Sequence, residues 1–461
     1  MHRSIPPGLN LWSSLRLGLF QACLGCLAVI FSGLFNRIMI TELGFPGLLV
    51  GAVLAFEQFV APSRVLFGQI SDAHPIAGCH RVPYILIGAT LFSLLAVLAV
   101  PLTFHVARLV EADQQATIAW GMAALCGLYA LYGLAISLAS TPYLALVIDR
   151  TEESERARAV GIIWAMLTVG IVVGAIATNI SLSSLDGIRD PALLQPVLQQ
   201  FMVRVAAVVW ILSLVAVWGM EKPGQADAER PREDGITISQ ALRLIRSSRQ
   251  VLIFFVFLVL FTLGVFIQDP VLESYGGMVF GMAIGATAQL NAFWGSGTLL
   301  GLLLAGLWLV PRLGKVFAAR LGCQLIVVSL LLLLLCGLQP RVAALKLVLL
   351  GFGVAVGVAT NAALCLMLDL TLPQAAGTFV GVWGLGQALS RALGKLLGGA
   401  FYDLGRILPL GAGPYGPFAL VLSLELLMAV LALVLLERVN VRQFREDTQI
   451  GLRRMLALEL E

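Results

Sequence analysis

Gln268-Asp269-Pro270-Val271-Leu272-Glu273-Ser274-Tyr275-Gly276-Gly277 separates two long apolar runs, one from Val251 to Ile267 and one beginning near Met278. The same setting occurs far upstream. Asn36-Arg37-Ile38-Met39-Ile40-Thr41-Glu42-Leu43-Gly44-Phe45 lies between the first two apolar runs, and a shift of 231 places Glu42 on Glu273 without a gap. A second echo sets Asp149-Arg150-Thr151 and Gly161 against Asp369-Leu370-Thr371 and Gly381 at a single shift of 220. Two echoes at nearly one offset indicate two half-proteins in tandem, because a period this long marks duplicated halves and not a solenoid of short repeats.

Outside these stretches the chain is mostly apolar. Of 461 residues 59% are hydrophobic and 12% charged, with mean hydropathy +0.94; charged residues are about half as frequent as in a typical soluble domain. Runs of roughly 20 apolar residues, enough to cross ~30 Å of hydrocarbon, recur along the whole length. The expected fold is an all-α polytopic membrane protein. Its twelve spans are expected near 15–36, 46–69, 82–104, 118–147, 159–181, 199–219, 251–268, 278–310, 318–338, 343–368, 376–402 and 416–437. This divides the chain into a six-helix half over 1–220, a linker over 221–250, a second half over 251–437 and a tail over 438–461.

Lys and Arg in short connections set orientation. Arg3, Arg16, Arg81, Arg150, Arg156, Arg158, Arg312 and Lys315 fall on one side with the linker and tail, so both termini and the linker are expected in the cytoplasm. In the linker Ile236, Ile238, Leu242 and Ile245 interleave with Arg243, Arg246 and Arg249, the pattern of a basic amphipathic helix lying on lipid headgroups. A net charge of +4 does not point to nucleic acid. The cysteines lie almost all in apolar runs, so no disulfide framework is expected. The lone Cys23-x-x-Cys26 reads as two small residues in a helix. No cleavable signal is expected: His2, Arg3 and Arg16 precede a span too long for one.

Ionisable groups at membrane depth cost roughly 2.5–3.5 kcal/mol on insertion scales and stand out as candidate sites. Glu57 lies midway along the second span, with Arg64 two turns on along the same helix face. Gln387, Arg391 and Lys395 follow at i, i+4 and i+8 in the eleventh. Gln289 and Asn291 lie in the eighth, and Glu425 in the twelfth. Gln268, Asp269 and Glu273 stand at the outer mouth of spans seven and eight, with Glu42 as their counterpart. Two readings stand for Glu42 and Glu273: bracing of tight turns, or a part in binding. Asp149 and Asp369 read as braces at helix ends. Gly170 with Gly174, and Ser390 with Gly394, read as small-xxx-small pairs permitting close packing between halves. Phe56, Phe59, Trp294 and Trp383 could pack in the core or line a flat pocket. The four histidines show no metal-ligand spacing and no phosphate-cradling loop is present, so no enzyme is expected.

Tandem six-helix halves resemble the major facilitator superfamily, in which a site lies between the halves near mid-membrane. Gly68-Gln69-Ile70-Ser71-Asp72 with His80-Arg81 is similar to that superfamily's signature after span two, although Ala73 to His80 separates Asp72 from Arg81. That fold would set Glu57 and Arg391 at similar depth on facing spans, where an ion pair is expected. Three segments resemble the PucC-type light-harvesting assembly proteins: Asn36-Arg37-Ile38-Met39 with Glu42-Leu43-Gly44, His80-Arg81-Val82-Pro83-Tyr84-Ile85, and Gln268 to Gly277, with Ser274 where proline is usual. This resemblance implies a photosynthetic membrane, thylakoid or bacterial cytoplasmic or intracytoplasmic. It implies chlorophyll or bacteriochlorophyll as cargo, with Glu57 a candidate ligand to its magnesium. The implied partners are membrane lipids, light-harvesting or photosystem apoproteins and a chlorophyll synthase. The alternative is a secondary transporter of a small amphiphile, proton-coupled through Glu57 or Asp269.

Overall fold

The computed structural model describes residues 10–112, 115–151, 153–182, 190–221, 249–369, 376–408 and 413–440. Its regular structure there is helical, apart from one bridged pair, Ile76 and Cys79. Hydrocarbon offers no water to a backbone N–H or C=O, so an apolar chain satisfies its own backbone by coiling. In chain order the helices are α1 Leu11–Glu42, α2 Gly47–Phe59, α3 Ser63–Ala73, α4 Val82–Glu111, α5 Gln115–Arg150, α6 Glu153–Leu182 and α7 Pro191–Val217. They continue with α8 Arg249–Phe266, α9 Leu272–Met278, α10 Ile284–Leu313, α11 Lys315–Leu338, α12 Val342–Asp369, α13 Ala376–Ile407 and α14 Tyr415–Leu436.

Ten of these described helices are long and apolar enough to cross a bilayer. With α2 and α13 they occupy the twelve expected positions, and the protein is an integral membrane protein of the major facilitator fold. The second expected span is not one straight helix. Val60, Ala61 and Pro62 form a turn between α2 and α3, where Pro62 has no N–H to continue the ladder. Glu57 therefore sits in the last turn of a 13-residue helix, and the expected relation of Arg64 to it along one helix face does not hold. The 32-residue α13 is long enough to cross but carries Arg391, Lys395, Asp403 and Arg406.

Two compact units form, Met1–Glu229 with Asp269–Ala292, and Arg230–Gln268 with Phe293–Glu461. The duplication recurs in their packing. In the first unit α1 packs on α6 and α7, and α4 on α5 and α7; in the second α8 packs on α13 and α14, and α11 on α12 and α14. Each unit thus joins its first span to its fifth and sixth, and its third to its fourth and sixth. The segment Asp269–Ala292, expected with the second half, packs in the first unit.

Gly170 and Gly174 are used within the first unit. A Cβ on Gly170 would lie 1.9 Å from the Ala22 carbonyl oxygen, and one on Gly174 2.9 Å from Cys26 Cα. The expectation that this pair serves packing between halves is corrected: α6 presents its small face to α1. Gly394 of the other pair lies in ordinary contact with Phe266 and Ile267 of its own unit, 3.5 Å from Phe266.

The stretch separating Asp72 from Arg81 folds back on itself. Ile76 and Cys79 exchange backbone hydrogen bonds of 2.9 and 3.0 Å across Ala77 and Gly78, whose φ values are +53° and +76°, as a two-residue type I′ turn requires. Arg81 thereby reaches Asp72, Asp149 (Nε to Oδ2, 3.3 Å) and the Ser71 hydroxyl (2.7 Å), with its side chain 4% exposed. The free N–H groups opening α4 are capped by a residue read from the sequence as mere linker. Glu221 accepts from His80 N at 2.7 Å, Arg81 N at 3.0 Å and Val82 N at 2.8 Å.

Candidate functional site

The first unit holds a buried polar cluster built on an irregular stretch of α1. Two π-helical segments, Val29–Leu34 and Ile38–Glu42, flank Phe35–Arg37. Such wide turns inside α-helices occur frequently at functional sites. Here they lie on either side of Asn36 and Arg37, two polar residues in a helix otherwise apolar at that depth. Both are buried, at 0% and 5% exposure.

Glu273 of α9, 1% exposed, lies at the centre. Asn36 Nδ2 donates to its Oε2 at 2.6 Å, and Asn291 Nδ2 of α10 donates to its Oε1. The same Asn36 nitrogen also reaches the carbonyl oxygens of Ser32 at 2.5 Å and Asp269 at 3.0 Å. Gly33 leaves room for the carboxyl: a Cβ there would stand 2.7 Å from Glu273 Oε1 and 2.8 Å from Asn291 Nδ2. Burial, and then the neighbouring Asp269 carboxyl, push the Glu273 carboxyl up to about 8, against the hydrogen bonds from Asn36 and Asn291, which favour its charge.

Arg37 serves the adjoining turn. Its Nη1 donates to the carbonyls of Met282 at 2.8 Å and Ala283 at 3.0 Å, and to Thr287 Oγ1 at 3.3 Å. Its Nε lies 3.5 Å from Glu42 Oε1. Gly277 lets the guanidinium pass, since a Cβ there would be 2.8 Å from Arg37 Cζ. Thr41 donates to the Ser274 hydroxyl at 3.1 Å. The two stretches related by the 231-residue shift therefore pack directly on each other. Glu42, Asp269 and Glu273, singled out in the sequence, share this cluster. Arg37 and the bridging amides of Asn36 and Asn291 were not foreseen as its other members, although an Asn-Arg pair inside an apolar run was a visible signal.

The remaining candidates divide between the units. In the second, Gln268 is 2% exposed, and its amide oxygen has no hydrogen-bond partner among the described residues. Arg391 lies over the Phe266 ring at 4.5 Å, within the range of a cation–π contact, and Phe266 meets Trp294 edge-on at 5.6 Å. Lys395, one turn along α13, is 4% exposed; Gln387, one turn before, is half-buried. Trp383 is 2% exposed between Phe254 and Phe255, at 5.2 and 5.5 Å. In the first unit Glu57 is half-buried, while Asp72, Arg81 and Asp149 form the ionic cluster of the 68–81 connection. The Asp369 side chain lies outside the described residues, so its equivalence to Asp149 rests on sequence alone.

The architecture is shared with solved transporters. The nucleoside transporter NupG, in a mutant form, is 13% identical with a TM-score of 0.71, covering 93% of this chain and 99% of its own. A bacterial homolog of the human lysosomal transporter Spinster, inward-facing and unoccupied, is 16% identical with a TM-score of 0.69, covering 95% and 98%. These likenesses establish the fold. Sequence relatives are closer. A protein of Rhodobacter capsulatus named "Bacteriochlorophyll synthase 44.5 kDa chain" is 31% identical over 427 residues, 90% of this chain and 92% of its own length. "Protein PucC" of Cereibacter sphaeroides is 28% identical over 422 residues, 90% and 89% of the two chains. Residues 34–444, which include every member of the buried cluster except Ser32 and Gly33, match the family described as "PUCC protein", and the chain belongs to that family.

Proposed function

We propose that this protein is a non-enzymatic assembly factor of photosynthetic membranes that holds chlorophyll or bacteriochlorophyll and delivers it to light-harvesting or photosystem apoproteins. One observation carries the reading: membership of the PUCC family, with a relative along nine-tenths of the chain bearing the name of a bacteriochlorophyll synthase chain. A magnesium tetrapyrrole is a flat apolar cargo, and the half-buried aromatic rings of Phe266 and Trp294 suit its faces. Arg391 and Lys395 suit acidic groups at its edge. Magnesium prefers oxygen ligands; within the first unit, taken by itself, Glu57 is a half-buried carboxylate of that kind. On this reading the termini face the cytoplasm and a pigment synthase is a partner.

The test is the absorption spectrum of gently solubilised protein purified from its pigmented host. Chlorin or bacteriochlorin bands near one pigment per chain are expected, and a colourless preparation at that sensitivity rejects the reading. The second reading, a secondary transporter of a small amphiphile, is favoured by the fold shared with NupG and the Spinster homolog. Substrate flux in reconstituted vesicles, with no pigment retained, would establish it instead.

A further inference from the structure

We propose that Glu273 is a proton-operated latch: as a neutral acid it fastens α9 to α1 and α10, and on losing its proton it lets this joint open. The proposal does not depend on what the protein carries.

The hydrogen count in the cluster supports a neutral acid. Three oxygens converge on Asn36 Nδ2, from Ser32 at 2.5 Å, Asp269 at 3.0 Å and Glu273 at 2.6 Å. An amide nitrogen has two hydrogens. That nitrogen can serve at most two of the three oxygens at once, and Asn36 Oδ1 is buried with no hydrogen-bond partner among the described residues; the cluster is short of donors, and a proton on Glu273 adds one. With Glu273 ionised, the same three oxygens would carry a full negative charge around one NH2 group, away from water. The surrounding charges do not favour that state. From α1 the facing charged groups are Arg37 and Glu42, which pair at 3.5 Å while Arg37 Nη1 is taken by the 282–287 turn. From the connection before α9 there is Asp269, a second carboxyl. From α10 there are only the neutral Thr287 and Asn291. Burial and Asp269 accordingly raise the acid to about 8.

The joint is short and irregular on both sides. α9 is seven residues long, ends in Gly276-Gly277-Met278, and is followed by Gly281 at φ +65°. Across from it, α1 is wound into two π segments around Asn36. Linkage gives the sign. The closed cluster holds the proton more tightly than a solvated carboxyl, whose ordinary value is about 4.3, so raising the pH favours opening. One proton is released per opening between those limits, which makes the opening equilibrium rise by up to about tenfold per pH unit. Above about 8 the closed form ionises as well, and the dependence levels off.

The experiment uses the full chain in lipid nanodiscs without pigment. Infrared difference spectra at pH 6 should show the C=O stretch of one protonated carboxyl that is missing in Glu273→Gln. Amide hydrogen exchange over 272–282, divided by the rate of a free peptide of that sequence at the same pH, should rise steeply from pH 6 to 8 in the wild type. In Glu273→Gln, which has no proton to lose, it should stay flat. Should that variant fail to fold, the wild-type exchange profile alone decides the matter. A pH-independent ratio in the wild type, or no Glu273-dependent acid band at pH 6, overturns the proposal.

Discussion

Asn36 and Glu273 stand 237 positions apart in the chain and meet at 2.6 Å, with both side chains withdrawn from solvent. One belongs to the first span and the other to the short helix after the seventh, so the bond ties together two stretches that the sequence shows as echoes of each other.

That bond is expected to couple energetically. Asn36→Ala leaves a buried carboxyl short of a donor, and Glu273→Ala leaves the Asn291 amide short of an acceptor, each loss being worth about 1–3 kcal/mol. Because either change already breaks the pair, the double variant should be less destabilised than the sum, by about 0.5–3 kcal/mol. Thermal unfolding of the four proteins in one detergent checks this. Strict additivity would show that the contact contributes nothing to stability.

Two glycines set the clearance of the same cluster. Gly33→Ala drives a methyl to 2.7 Å from Glu273 Oε1, and Gly277→Ala drives one to 2.8 Å from Arg37 Cζ. Each should destabilise by about 1–3 kcal/mol, the usual penalty of overpacking. Gly33→Ala should also disturb the infrared signature of Glu273, whereas Gly277→Ala, which strikes the guanidinium, should leave it in place.

At the other connection the decisive residue is Glu221, whose carboxylate takes three backbone N–H groups at the start of α4. Capping by an acidic side chain is worth about 0.5–2 kcal/mol, with a further contribution from the helix dipole. Glu221→Ala should lose that amount and hasten proteolysis around 74–80. Glu221→Gln, which keeps one acceptor oxygen, should fall between.

The turn that returns Arg81 to Asp72 places Ala77 at φ +53°, a conformation costing an L-residue about 1–2 kcal/mol. Asn visits that region readily, so Ala77→Asn should raise the unfolding temperature modestly. Ala77→Pro, locked near −65°, should unhinge the turn and weaken the Arg81 ion pairs. Equal stability of Asn and Ala at this site would mean that the strain is relieved elsewhere.

Much of the fold was legible because hydrocarbon imposes a simple rule on sequence. Spans must be long and apolar, and charges such as Arg81 must cluster in connections, so the twelve positions and the duplication could be read directly. The break at Pro62 had a signal in the sequence, the proline itself followed by the polar Ser63 and Arg64, but the apolar residues on either side let one span be read through it. The site was legible only in part. Glu42, Asp269 and Glu273 stood out as carboxyls at the mouths of apolar spans, but that Asn36 and Asn291 would grip Glu273 depends on helix phase. The π segments of α1 shift that phase, and no periodicity in the sequence announces them. Glu221 was read as linker because a cap at the start of a helix 139 residues away leaves no local pattern.

The pairing of α1 with α6 is open to a comparison that needs no function. Gly170 and Gly25 are mutual contacts of these helices: an added Cβ would lie 1.9 Å from the Ala22 carbonyl oxygen in one case and 2.1 Å from the Leu167 carbonyl oxygen in the other. Backbone atoms cannot yield as a flexible side chain does, so the helices themselves must part. Gly127 of α5 has nothing within 4 Å of its would-be Cβ. There an alanine adds no clash and improves helix propensity by about 1 kcal/mol. Gly170→Ala and Gly25→Ala should therefore each lower the unfolding temperature and the yield of folded protein, whereas Gly127→Ala should leave both unchanged or higher. Because the two damaging changes strain one interface, combining them should cost less than their sum. If Gly170→Ala unfolds at the wild-type temperature, α1 and α6 do not pack at this distance.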